Sequence, residues 1–196
     1  MGKEIEIAYY AVDRADFLRK LRAMNARFLG KFYLKRANFQ IATRGRVGSS
    51  NYYTSWIRVR SDGKKTILTL KEQKGKSIAG RREYEAEVSN FEDAIRILSK
   101  ILPKQRIDYF ENSRELYELD GLKFSIDKFP KMPYLLEIEG NTKREIEALL
   151  EVLNVKGELD GKKSVPTAEY YKMHGVDYAK VQKSYQRKIE KLLKTR

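Results

Sequence analysis

The sequence predicts an α+β fold in which many antiparallel strands form a closed or nearly closed β-barrel with helices packed outside. The first observation is that charged residues recur two apart in short segments, and residues two apart on a strand share a face. These segments contain Glu4 and Glu6, Arg58 and Arg60, Glu83, Glu85 and Glu87, and Glu137 and Glu139. The second is that amphipathic helical segments need an apolar surface on which to pack. Helices on the neutral strand faces would leave the charged faces pointing together into the barrel.

The first half of the chain contains five predicted strands and one helix. EIEIAYYAV predicts a strand, and Asp13 then caps a helix that we expect to run through about Leu29, with Gly30 as the stop. KFYLKRANFQIA predicts the second strand. Asp62-Gly63 is a hairpin-turn signal between SWIRVRS and KTILTLKEQ, and RREYEAEV predicts the fifth strand.

The second half begins with a helix and returns to strands. Asn90 caps a predicted helix that runs through Leu102, where Pro103 closes it. RIDYFENS, RELYELD, LKFSIDKF and MPYLLEIEG then predict strands, with Asp120-Gly121 as a second tight turn.

The C-terminal region is predicted to be helical. Thr142 and Glu145 form a capping-box pattern before an apolar helix. After Pro166 the chain is expected to form two helical pieces that break near Gly175. We therefore expect one main domain over residues 1–178 and a basic helical tail over residues 179–196.

Composition excludes several classes of protein. A chain of 196 residues that is 41% apolar can bury a sizeable core. It has no cysteine and only His174, which leaves no disulfide, thiolate zinc site or multi-histidine metal site. It also lacks an apolar run of about 20 residues and a signal-peptide pattern. We expect a cytoplasmic protein that does not enter a membrane.

The net charge of +14 is typical of proteins that bind nucleic acid, but the charge is unevenly distributed. The tail from Lys180 to Arg196 holds seven basic residues against one acid, Glu190. The rest of the chain is only moderately basic. Nucleic acid is therefore the less favoured partner, although the basic tail does not exclude it.

The ordered series of charged segments resembles the CYTH, or triphosphate tunnel metalloenzyme, superfamily. The resemblance covers nearly the whole chain up to about residue 178. It is carried by Glu4-Ile5-Glu6, Ile57-Arg58-Val59-Arg60, Leu68-Thr69-Leu70-Lys71, Glu83-Tyr84-Glu85, Arg114, Asp127 and Leu136-Glu137-Ile138-Glu139. SIDKFPKMPYLLEIEG and EYYKMHGVDY are most similar to the branch named class IV adenylate cyclase.

This resemblance implies a barrel of about eight strands whose charged tunnel holds a triphosphate together with Mg²⁺ or Mn²⁺. The implied reaction is that of an adenylate cyclase, which converts ATP to cyclic AMP and pyrophosphate. Inorganic tripolyphosphatase and thiamine triphosphatase are the alternatives, because water attack on the terminal phosphorus would replace attack by the ribose 3′-oxygen. The expected substrate is thus a nucleoside, inorganic or other organic triphosphate. A homodimer is common among relatives.

The resemblance also assigns roles to individual residues, and their chemistry agrees with those roles. The planar forks of arginine suit phosphate, whereas carboxylates suit hard divalent metals. The residues expected to bind triphosphate are Arg58, Arg60, Lys71, Arg82 and Arg114. The expected metal ligands are Glu4, Glu6, Glu87, Glu137 and Glu139, and the expected catalytic residues are Glu85 and Asp127.

Two positions depart from the family pattern. Ala8 stands where the opening Glu-x-Glu-x-Lys signature has its lysine, and Asn112 stands two residues before Arg114, where a basic residue is frequent. These departures leave open a weakly active module that binds nucleotide or polyphosphate. A basic nucleic-acid-binding domain is the third hypothesis.

Overall fold

The computed structural model describes residues 5–46, 52–75, 81–102, 107–159 and 167–194. The strands are β1 Ile5–Tyr10, β2 Arg27–Arg44, β3 Tyr53–Ser61, β4 Thr66–Lys74, β5 Arg81–Val88, β6 Ile107–Leu119, β7 Leu122–Lys128, β8 Tyr134–Gly140 and β9 Glu158–Leu159. The helices are α1 Arg14–Ala23, α2 Phe91–Ile101, α3 Lys143–Leu153, α4 Thr167–Met173 and α5 Tyr178–Lys194. None of the helices described is long and apolar enough to cross a membrane.

The strands form one sheet in the order β5-β4-β3-β2-β6-β7-β8-β1-β9. Consecutive hairpin strands pair antiparallel, and β1 pairs antiparallel with β8. This confirms the α+β class with antiparallel strands. Among the described residues the order is open, with β5 and β9 at its ends, whereas we expected closure or near-closure. The short strand β9 pairs with Tyr9 and Tyr10, so it occupies part of the β1 edge that a closing strand would need.

The chain divides into two compact units. Unit 1 comprises Met1–Tyr33 and Asn112–Tyr178, and unit 2 comprises Leu34–Glu111 and Ala179–Arg196. Both units are discontinuous in sequence. Unit 1 is interrupted between a boundary within β2 and one within β6, and unit 2 is interrupted between Glu111 and Ala179. The expected division into residues 1–178 and a tail stays a prediction.

Each unit has its own apolar core on one face of its strands. In unit 1, β7 and β8 contribute Phe124, Ile126 and Leu136, which pack with Leu21 of α1 and Ile146 of α3. Alternation along the strands leaves the charged residues on the opposite face.

In unit 2, the apolar face of the strands meets helices α2 and α5. Phe39 and Val59 from β2 and β3 pack with Ile95 of α2 and with Tyr185 and Ile189 of α5. The charged residues of β3 again lie on the other face.

Most local signals in the sequence are confirmed. Gly63 and Gly121 adopt positive φ values of 88° and 78° in the two hairpin turns, which is the backbone freedom that such turns require. Asn90 caps α2, and Thr142 and Glu145 form the complete capping box of α3.

Helix α1 is shorter than predicted. It ends at Ala23 rather than near Leu29, with Met24 as its C-cap. Asn25 adopts a left-handed φ of 57°, a conformation that asparagine tolerates and that ends helices. The chain then enters β2, where Phe28 packs against the ring of Tyr117.

Candidate active site

The charged face of unit 2 contains three arginines from two paired strands. Arg58 lies opposite Asn38 of β2, and Arg60 lies opposite Arg36. Because residues two apart share a face, these three guanidinium groups lie on the same side of the sheet. Thr69 of β4 lies opposite Arg58 and extends this face.

The charged form of Arg58 is disfavoured by its surroundings in this cluster. Burial, together with the like charges of Arg60 and Arg36, lowers the pKa of Arg58 to about 10. Glu83 and Glu85 act in the opposite direction but do not compensate fully. Such a face favours the binding of an anion, because the negative charge would offset the repulsion among the arginines.

Sequence reasoning missed Arg36 and Asn38. The two residues are two apart in KRANF, as Arg58 and Arg60 are in IRVR. That spacing could have identified both residues. However, Lys35 next to Arg36 is also basic, so the sequence did not show which face of β2 carries the functional charges.

The three glutamates of β5 each have a partner on unit 2. Lys71 Nζ donates to Glu83 Oε1 at 2.6 Å, and Thr69 Oγ1 donates to Glu85 Oε1 at 2.9 Å. The expected metal ligand Glu87 lies 3.5 Å from Lys65 Nζ in an exposed ion pair.

Arg82 is not brought to this face. It lies opposite Glu72 of β4, one residue out of phase with the glutamates of β5, and its side chain is exposed. Alternation along the strand directs it away from Arg58 and Arg60.

The charged face of unit 1 is formed by β1, β6, β7 and β8. Glu139 lies opposite Glu6, and Glu137 lies opposite Ala8. On the other side of β8, Glu137 faces Ser125 of β7. The expected ligand Glu4 lies outside the described residues.

Arg114 is the centre of the ion pairs on this face. Its Nε donates to Asp127 Oδ1 at 2.8 Å and its Nη2 to Asp127 Oδ2 at 2.6 Å, and Nη2 also donates to Glu137. Burial alone would lower the pKa of Arg114, but Asp127 and Glu137 raise it well above the usual range. The guanidinium is therefore a fixed positive charge.

Asp127 is completely buried, and Asn112 helps to hold it. Asn112 Nδ2 donates to Asp127 Oδ1 at 2.8 Å. The residue that departs from the family pattern thus serves as a second donor to the carboxylate that orients Arg114.

The donor chemistry of the unit 1 face fits a hard divalent metal. Glu6, Glu137 and Glu139 supply carboxylate oxygens from two neighbouring strands, as Mg²⁺ and Mn²⁺ prefer. Among the described residues, however, no three carboxylate or histidine groups already converge closely enough to hold an ion. Glu137 points to Arg114 instead.

Comparison with known folds agrees with this architecture. A conserved hypothetical protein from Pyrococcus furiosus has a TM-score of 0.66 and 21% identity over 85% of this chain and 99% of its own. A proposed adenylate cyclase from Vibrio parahaemolyticus has a TM-score of 0.53 and 12% identity over 76% and 83%, respectively. These identities establish similarity of fold alone.

A third structure is a proposed adenylyl cyclase, HpAC1, from Hippeastrum, described as having a dominant triphosphatase activity. Its TM-score is 0.52, with 17% identity over 88% of this chain and 96% of that one. No curated protein matches the chain.

The family model of the CYTH domain matches residues 51–171. This span is more than half of the 196 residues, and it contains Arg58, Lys71, Arg114, Asp127 and Glu137. The chain belongs to the CYTH domain family.

Proposed function

We propose that this protein is a metal-dependent enzyme that acts on a triphosphate, with the adenylate cyclase reaction as the first candidate. The observation that carries the proposal is the arginine cluster of unit 2, in which burial and like charges lower the pKa of Arg58. A polyphosphate chain supplies several negative charges and accepts bidentate hydrogen bonds from guanidinium groups. Arg36 joins Arg58 and Arg60 as a proposed phosphate ligand.

The carboxylates of unit 1 are the proposed metal ligands. Glu6, Glu137 and Glu139 would hold Mg²⁺ or Mn²⁺, and the bound ion would neutralise charge on phosphate oxygens. Glu4 is proposed with them from the sequence alone. Glu87, in contrast, is exposed and pairs with Lys65, which favours a solvated surface position over a metal site.

The two proposed catalytic residues have different surroundings. Both oxygens of Asp127 accept hydrogen bonds from Arg114, and one also accepts from Asn112, so Asp127 is suited to orient Arg114. Glu85 is exposed and accepts one hydrogen bond from Thr69. Glu85 is therefore the better candidate for accepting a proton from a ribose hydroxyl or water.

Triphosphate hydrolysis is the second candidate, supported by the activity described for the Hippeastrum protein of similar fold. Inorganic tripolyphosphate and thiamine triphosphate are the substrates to test. A lysine at position 8 would add a cation beside Glu137, and Ala8 cannot supply it. The loss of this cation favours a slower reaction or a module that only binds.

The test is to incubate the protein with Mg²⁺ or Mn²⁺ and ATP, thiamine triphosphate or tripolyphosphate, and to resolve the products by chromatography. Cyclic AMP with pyrophosphate would support the cyclase, and orthophosphate would support the triphosphatase. Metal-dependent binding without any product would mean that the protein is a triphosphate receptor and not an enzyme. If wild-type protein neither binds nor converts any of the three, the proposal fails.

A pair of variants separates catalysis from folding. We expect Glu137→Gln to abolish turnover while the circular dichroism spectrum stays that of the wild type. Glu147→Gln is the matched control, since this glutamate is 53% exposed on α3 and pairs with Lys143. Equal activity of the two variants would remove Glu137 from the site.

A further inference from the structure

Helix α5 has one apolar side that attaches it to unit 2. It spans 17 residues, and Tyr185 and Ile189 are buried in the core of unit 2. Val181 and Leu192 pack against the same core from the same side of the helix. Lys188 adds an ion pair of 2.5 Å to Glu111. These contacts account for the attachment of the helix.

The opposite side of α5 is a continuous stripe of exposed cations, which we call the basic stripe. Its members are Lys180, Lys183, Arg187, Lys191 and Lys194. Their spacing of three or four residues places them within an arc of about 80° on the helix. The stripe is about 21 Å long at a rise of about 1.5 Å per residue.

The packing of α5 on unit 2 does not require cations to line up on its exposed side. Neighbouring like charges three or four residues apart destabilise a helix. The one acid of the helix, Glu190, lies at the edge of the stripe rather than within it. The stripe therefore concentrates positive charge along a line.

We infer that the basic stripe binds the phosphate backbone of a nucleic acid. The complementary partner is a linear polyanion whose charges repeat along its length, as phosphates do. A lipid surface fits less well, because membrane-bound amphipathic helices insert their apolar side, and the apolar side of α5 is buried against Phe39 and Val59.

The basic stripe is distinct from the proposed triphosphate site. Helix α5 packs on the face of β3 that carries Val59, whereas Arg58 and Arg60 lie on the other face. Nucleic-acid binding therefore does not rest on the proposed enzymatic function.

The test uses fluorescence anisotropy with a labelled RNA of about 20 nucleotides that carries a 5′-hydroxyl, in EDTA, over a range of salt concentrations. Five phosphate contacts predict a slope of log K against log[salt] of about −3.5 for a single strand. The variant K183Q/R187Q/K194Q should reduce the slope by about 2 and weaken binding by about tenfold or more at low salt. The control K143Q/R144Q/K172Q removes the same charge from exposed positions of unit 1.

Several outcomes would overturn the inference. They are absence of RNA binding by the wild type, equal weakening by both triple variants, or binding of phosphatidylserine vesicles in preference to RNA. The double variant R58Q/R60Q should weaken RNA binding less than K183Q/R187Q/K194Q does. Loss of RNA binding in that variant would instead place RNA at the arginine cluster. Circular dichroism verifies that each variant is folded.

Discussion

Replacing Arg58 with glutamine should stabilise the ligand-free protein while it weakens polyphosphate binding. Burial and the neighbouring arginines lower the pKa of Arg58 to about 10, so the folded state holds this proton more weakly than the unfolded chain does. The charge therefore costs stability at every pH below about 10. The cost disappears as pH rises from about 10 towards the ordinary arginine pKa, because the folded state releases the proton first.

The size of the effect follows from the pKa. The drop from the ordinary arginine value to about 10 corresponds to about 3 kcal/mol, at about 1.4 kcal/mol per pH unit. Glutamine shortens the side chain and loses part of its packing, which offsets some of this gain. We therefore expect a net stabilisation of about 1 kcal/mol, or a rise in Tm of about 3 °C for a chain of this size.

The assay is thermal unfolding at neutral pH in low salt and EDTA, with and without tripolyphosphate. Tripolyphosphate should raise the Tm of the wild type, because a ligand stabilises the state that binds it, and raise that of R58Q much less. R19Q is the matched control, since Arg19 is 70% exposed. A lower Tm for ligand-free R58Q than for wild type, or an equal response to tripolyphosphate, would refute the reasoning.

Two further predictions concern the cores of the two units, and both are measured by urea unfolding. Ile189→Ala should destabilise unit 2 by about 2–5 kcal/mol, because Ile189 is only 1% exposed and its removal leaves a cavity; an unchanged midpoint would mean that α5 is not held by this contact. Gly140→Ala should cost about 1–3 kcal/mol, since the added methyl group would meet Leu122 Cδ2 and Ile146 Cγ1 in a packed region. Wild-type stability of that variant would show that Leu122 and Ile146 move aside without penalty.

Local chemistry explains why much of the fold was predictable. Asp62-Gly63 supplies one positive φ angle, at Gly63, and Asp120-Gly121 supplies two, so each dipeptide fixes two strand ends. The end of α1 was harder to predict from the sequence, because the helical spacing of apolar residues continues past Asn25 although the backbone already turns there. Strand β9 has only two residues and carries no periodic signal.

The candidate site was predictable only where alternation along one strand was enough. Spacing placed Arg58 and Arg60 on one face, and the same rule would have separated Arg82 from the glutamates of β5. The contact of Arg114 with both Asp127 and Glu137 depends on the register among β6, β7 and β8. A single sequence does not contain that register.

The shared strands limit how this protein can be cut and recombined. The chain crosses between the units within β2, between Tyr33 and Leu34, within β6, between Glu111 and Asn112, and at the start of α5, between Tyr178 and Ala179. No uninterrupted stretch of the gene therefore encodes either unit. A protease cut or a foreign segment placed inside either strand would damage both units together. Exchange of parts with a relative would therefore have to carry both strands intact.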